Sequence, residues 1–189
     1  MTQQEIKVRL EKALDSLYVK DWYLLKNKVH ERSITHKLAE YLQHLFPEYE
    51  VDCEYDFDIE NPNGHFKKQF SQIVSTEIKN NYSNNINKIN EVTTDNDILS
   101  FIQTLQKNFF PDIIIHKRGT NTQNLLIIEA KKDNNLNNSS FDVDKLKAYT
   151  KQDDSGNKYF LGAQVIFSVG VKYRRGSTII SYYSDGQQE

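Results

Sequence analysis

A chain of 189 residues, 26% of them charged and 12% aromatic, has globular rather than disordered composition and suits one domain with a sizeable core. The formal net charge of −2 gives no global basic signal for nucleic acid. The lone cysteine, Cys53, excludes an internal disulfide and favours a cytoplasmic setting.

The opening stretch MTQQEIKVRLEKAL is polar and lacks the apolar centre of a signal peptide. No apolar run approaches the roughly 20 residues that span a bilayer, so no membrane partner is expected. Ile6, Leu10, Ala13, Leu14 and Leu17 recur at helical spacing, and residues 1–28 read as an N-terminal helical extension. A second helix is expected over 29–45, ended by Pro47, with Ile34, Leu38, Tyr41, Leu42 and Leu45 as its apolar positions. The stretch YEVDCEYDFDI alternates and predicts a half-buried strand. Val51, Cys53, Tyr55 and Phe57 take its inner face; Asp52, Glu54, Asp56 and Asp58 take the outer one. NPNG then breaks it.

Residues 60–108 read as a helical insertion within the single domain 1–189. Phe70, Ile73, Val74 and Glu77 belong to one helix, and Ile98, Phe101, Ile102 and Leu105 to another. Strands are expected at 112–117 and 124–131, joined by RGTNTQ as a hairpin. The loop KDNNLNNSS leads to a helix over 142–151. AQVIFSV and STIISYY are further strands, with KYRRG between them. This order predicts an α/β sandwich, a mixed central sheet flanked by helices.

The hairpin carries charge where apolar runs end. Asp112 opens the run Ile113–Ile115; Glu129 and Lys131 close the run Leu125–Ile128. If the turn centres between Thr120 and Asn121, Asp112 and Glu129 oppose each other and share a face with Lys131. A one-residue slip would separate them. Two half-buried carboxylates repel unless a cation joins them. A hard divalent ion, Mg²⁺ with Mn²⁺ as a substitute, takes such oxygen ligands together with water and phosphate. The backbone carbonyl of Ala130 offers one more ligand, and Lys131 suits an attacking water or developing phosphorane charge. The competing account is a salt bridge at a sheet rim.

Pro111-Asp112 followed by Glu129-Ala130-Lys131 resembles the PD-(D/E)XK motif of restriction-endonuclease-like nucleases. The chain also resembles small uncharacterised bacterial members of that superfamily. Its shared core of helix, three-stranded meander, helix and strand corresponds to about residues 29–170. The resemblance implies a metal-dependent nuclease in which Asp112 and Glu129 bind metal and Lys131 is the catalytic lysine. Glu31 lies on the same helical stripe as Ile34, Leu38, Leu42 and Leu45. Many members of the superfamily offer a glutamate to the metal from this helix, and Glu31 sits in that place. The alternative is a glutamate favoured by the helix N-terminus. Lys145, on the helix after the motif lysine, is the resemblance's candidate for phosphate or water, although the common glutamine is absent there. Lys172, Arg174 and Arg175 are candidate phosphate contacts or ordinary turn residues.

His36, Glu40 and His44 recur every fourth residue and fit a solvated helix face better than a zinc clamp. His116 shares the face of Asp112 and reads as a packed or exposed histidine. The expected function is hydrolysis of phosphodiester bonds, first in DNA, by an endonuclease. RNA cleavage, or a non-catalytic nucleic-acid-binding or scaffold subunit of a defence or repair assembly, are the alternatives. The modest size leaves room for a homodimer or a partner protein.

Overall fold

The computed structural model describes residues 1–55, 110–120, 122–136, 139–152, 158–174 and 176–189. The chain divides into two units, Met1–Tyr55 with Pro111–Glu189, and Asp56–Phe110. The expected helical insertion at 60–108 lies outside the described residues.

Helix α1, Gln3–Lys20, starts at a capping box: Thr2 accepts from the Glu5 amide, and the Glu5 carboxylate accepts from the Thr2 amide. It buries Ile6, Leu10, Ala13, Leu14, Leu17 and Tyr18. A short α2, Trp22–Lys26, follows after Asp21. Helix α3, Glu31–Leu45, starts two residues later than expected because His30 is its cap, its ring accepting from the Arg32 amide. Ile34, Leu38 and Leu42 form its buried stripe.

Strands β1 (Glu50–Cys53), β2 (Ile113–His116), β3 (Leu126–Lys132), β4 (Leu161–Phe167), β5 (Ile179–Ser184) and β6 (Gln187–Gln188) build one mixed sheet in sequence order. Only β3 and β4 run parallel among these neighbours. A parallel pair needs a crossover, and helix α4, Ser139–Thr150, provides it. Alternation then divides the side chains. Ile113, Ile115, Leu126, Ile128, Ala130, Ala163 and Val165 share one apolar core with α1 and α3. The opposite face lies under α4, which packs on β3, β4 and β5. The result is the expected mixed sheet between helices.

Gly162 sets the seating of α4. A Cβ there would lie 3.0 Å from Thr150 Cγ2 and 3.3 Å from Leu146 Cδ2. Its lack of a side chain lets the helix approach the sheet.

Two local expectations need correction. The strand expected over 49–58 ends, within the described residues, at Cys53, because Glu54 turns the chain at φ 49°. Cys53 is exposed rather than inward; Asp52, on the other face, is held by His116 and Arg118. Strand β6 was not foreseen, since two exposed glutamines carry no apolar signal.

Candidate active site

The ladder pairs Ile113 with Ile128 and Ile114 with Ile127, which is the register expected from the turn. Continued by one residue it sets Asp112 against Glu129. Because Ile113 and Ile128 point into the α1–α3 core, Asp112, Glu129 and Lys131 point to the α4 face. Asp112 is fixed there, its Oδ2 accepting from the Ala130 N–H at 2.7 Å. Ala130 thus serves the site through its amide while its methyl group fills the core.

Helix α4 adds two charges to this face. Lys145 and Asp142 are both 3% exposed. Lys145 Nζ stands 2.7 Å from Glu129 Oε1 and 3.7 Å from Asp142 Oδ1. It also lies over the Phe141 ring, 5.7 Å from its centroid. Asp142 Oδ2 lies 3.3 Å from Lys131 Nζ. Asp142 therefore stands between the two ammoniums.

Glu31 arrives from the first turn of α3. Its Oε2 accepts from the Lys132 N–H at 3.0 Å, and its Oε1 is 3.9 Å from Lys131 Nζ. Lys132 donates to the carbonyl of Val29 at 3.2 Å, joining the end of β3 to the chain just before α3. The structure thus brings Glu31, Asp112, Glu129, Lys131 and Lys145 into one cluster, and adds Asp142.

The electrostatics follow from the count. Four carboxylates face two ammoniums, an excess of two negative charges. Burial pushes the Asp112 carboxyl up to about 6; Glu31 adds to the rise, while the Ala130 amide and both lysines oppose it. Burial likewise holds Glu129 well above the ordinary carboxylate range, with Asp112 and Asp142 contributing, against the pull of Lys145. For Lys131, burial acts downward, but Asp142, Asp112 and Glu31 outweigh it and its pKa rises. Lys131 is a held ammonium at neutral pH.

The buried oxygens Glu129 Oε1 and Asp142 Oδ2 meet no donor among the described residues other than the ammoniums of Lys145 and Lys131. Buried carboxylate oxygens in that condition suit a further cation, and all the available side-chain donors are oxygens. No three His, Cys, Asp or Glu side chains are already gathered around one point among the described residues. The lysines, not a shared centre, hold the carboxylates in this arrangement.

Other candidates fall elsewhere. Lys172 and Arg174 are exposed beyond β4 and form no ion pair with the cluster; Arg175 lies outside the described residues. His36 pairs with Glu40 on an exposed face of α3. His116 is 4% exposed and its Nε2 lies 2.9 Å from Asp52 Oδ2; Arg118 also holds Asp52.

Two residues escaped the sequence reading. Asp142 shares the buried stripe of α4 with Lys145 and Tyr149, a polar pair on an inner helix face. Gln164 interrupts the apolar run AQVIFSV and pairs in register with Glu129. Its Nε2 donates to Ser139 Oγ at 3.0 Å, anchoring the start of α4. No family model, curated protein or solved structure matches the chain. The functional reading therefore rests on the chemistry of the cluster.

Proposed function

We propose that the chain is a metal-dependent nuclease with a restriction-endonuclease-like core, hydrolysing phosphodiester bonds with DNA as its first substrate. The observation that supports it is the convergence of Asp112, Glu129 and Lys131 on one sheet face, with Glu31 against Lys131. With all four carboxylates ionised, the excess of two negative charges equals the charge of one Mg²⁺ or Mn²⁺, and the donors are hard oxygens. Asp112 and Glu129 would hold the ion, with the Ala130 carbonyl and Glu31 as further candidates. When bound, it supplies Lewis-acid stabilisation of phosphoryl charge.

The remaining roles belong to the chain. Lys131 keeps its proton, so it acts as a donor and a positive charge rather than as a general base. Its 19% exposure lets the ammonium meet a phosphate oxygen or the attacking water while Asp142 and Glu31 hold its position. The Ala130 amide orients Asp112. Hydrolysis joins a water oxygen to phosphorus and breaks the bond to the leaving oxygen, which gains a proton. Phosphate held by Lys172 or Arg174 would be an electrostatic aid.

A non-catalytic nucleic-acid-binding or scaffold role is the second reading. The Lys145–Glu129 contact favours it, because it compensates one motif carboxylate without any metal. Incubation with single- and double-stranded DNA and RNA, in Mg²⁺, Mn²⁺ or EDTA, separates the readings. Nuclease action predicts cleavage that EDTA, Asp112→Ala and Lys131→Ala each abolish. Cleavage surviving both substitutions removes the site; binding without cleavage supports the second reading, and cleavage confined to RNA changes the substrate.

A further inference from the structure

The ion contact between Lys145 and Glu129 has a consequence for the site just proposed. Both side chains are almost fully buried, and Lys145 Nζ stands within ion-pair distance of Glu129 and of Asp142. An ammonium in that position does what a bound cation would do: it offsets the repulsion of neighbouring carboxylates. It is tethered to α4, which is seated on the sheet through Leu146, Thr150 and the open space at Gly162. Two buried oxygens, Glu129 Oε1 and Asp142 Oδ2, lie against the ammoniums of Lys145 and Lys131 respectively. Lys145 thus occupies the carboxylate oxygen that a cation would take.

From this geometry we infer that Lys145 is a built-in counter-ion that competes with the divalent cation for Glu129, and that Asp142 becomes a cation ligand when Lys145 withdraws. The inference rests on the metal-dependent reading of the site and extends it to α4. Its physical basis is that a buried carboxylate needs a positive partner, and one partner excludes the other from the same oxygen. The apo fold is then stable with the lysine in place, and metal affinity is reduced by whatever the lysine contact contributes. Lys131 is also near Asp142, but it contacts Oδ2 and not Glu129, so it supplies charge without occupying the contested oxygen.

Calorimetric titration with Mn²⁺ alone tests this on the full chain, without reference to activity. Lys145→Met is expected to bind Mn²⁺ about tenfold or more tighter than wild type, since a close buried charge is removed. Lys131→Met, which removes an equal charge next to Asp142, is expected to give a distinctly smaller gain. Asp142→Asn in the Lys145→Met background is expected to lose most of the gain. Equal gains in the two lysine variants, or no gain in Lys145→Met, would overturn the competition. If Lys145→Met does not fold without metal, Lys145→Gln keeps an amide beside Glu129 and carries the same expectations. Mn²⁺ binding to wild type that Asp112→Asn abolishes, with no gain in either Lys145 variant, overturns the counter-ion while leaving the metal site intact. Absence of Mn²⁺ binding in every variant overturns both.

Discussion

Asp112 shows how one side chain links fold stability to chemistry. Its folded pKa of about 6 lies above the ordinary 3.8, so the folded state binds the proton more tightly than the unfolded one. That contribution is full below about pH 4 and is lost as pH rises through about 6. In EDTA, urea unfolding should therefore show this part of the stability falling between those values. Asp112→Asn should flatten that fall and stabilise the metal-free protein by about 3 kcal/mol at neutral pH, from a shift of roughly two pKa units. An unchanged or lower stability would mean that the carboxylate is better compensated than the two lysines allow. The same raised values make protons compete with metal, so Mn²⁺ affinity should weaken below about pH 6. The pairing of Asp112 with Glu129 was legible in the sequence on the condition that the turn centres between Thr120 and Asn121, and the ladder of Ile113 with Ile128 meets that condition. In the sequence Lys145 is a candidate for phosphate or water through the resemblance alone. Its burial against Glu129 depends on how α4 is seated, which no local pattern records.

At the level of elements, α4 decides whether the cluster exists. Its inner stripe mixes Phe141, Leu146 and Tyr149 with Asp142, Lys145 and Thr150, so the apolar period that announces α1 and α3 is interrupted by the residues that join the charged cluster. The helix was legible; its inner face was not. Thr150 shows the same mixture, donating to the Leu146 carbonyl at 2.8 Å and accepting from the Gly186 amide at 3.2 Å. This joins α4 to the turn between β5 and β6. Thr150→Val should cost about 1–3 kcal/mol by leaving the buried Gly186 N–H unpaired. Gly162→Val should cost about 1–3 kcal/mol through overpacking against Thr150 and Leu146. It should also alter Mn²⁺ binding, because the competing Lys145 and the ligand Asp142 both move with the helix. Thermal or urea denaturation measures the first effects and calorimetry the last; unchanged metal affinity in a destabilised Gly162→Val protein would separate α4 from the site. The shortened β1 has a different cause. Glu54 adopts a left-handed conformation without being Gly or Asn, so the alternating sequence gave no sign of the turn.

For the whole molecule, charge sets the terms of any encounter with nucleic acid. A net charge of −2 provides no long-range attraction, so binding must come from local cations and metal. Among the described residues no helix is long and apolar enough to cross a membrane. If Lys172 and Arg174 touch phosphates, Lys172→Glu with Arg174→Glu should lower DNA affinity and flatten its salt dependence by about one unit of log–log slope per lost contact, leaving Mn²⁺ affinity unchanged. An unaltered slope would return both residues to ordinary turn chemistry. The central claim is that the carboxylate–lysine face hydrolyses phosphodiesters, and Lys131 tests it most directly. Single-turnover cleavage of saturating DNA in Mg²⁺, with DNA binding measured on the same samples, should fall by about a hundred- to a thousandfold in Lys131→Ala while affinity for DNA stays close to wild type. Cleavage by Lys131→Ala at the wild-type rate would contradict it.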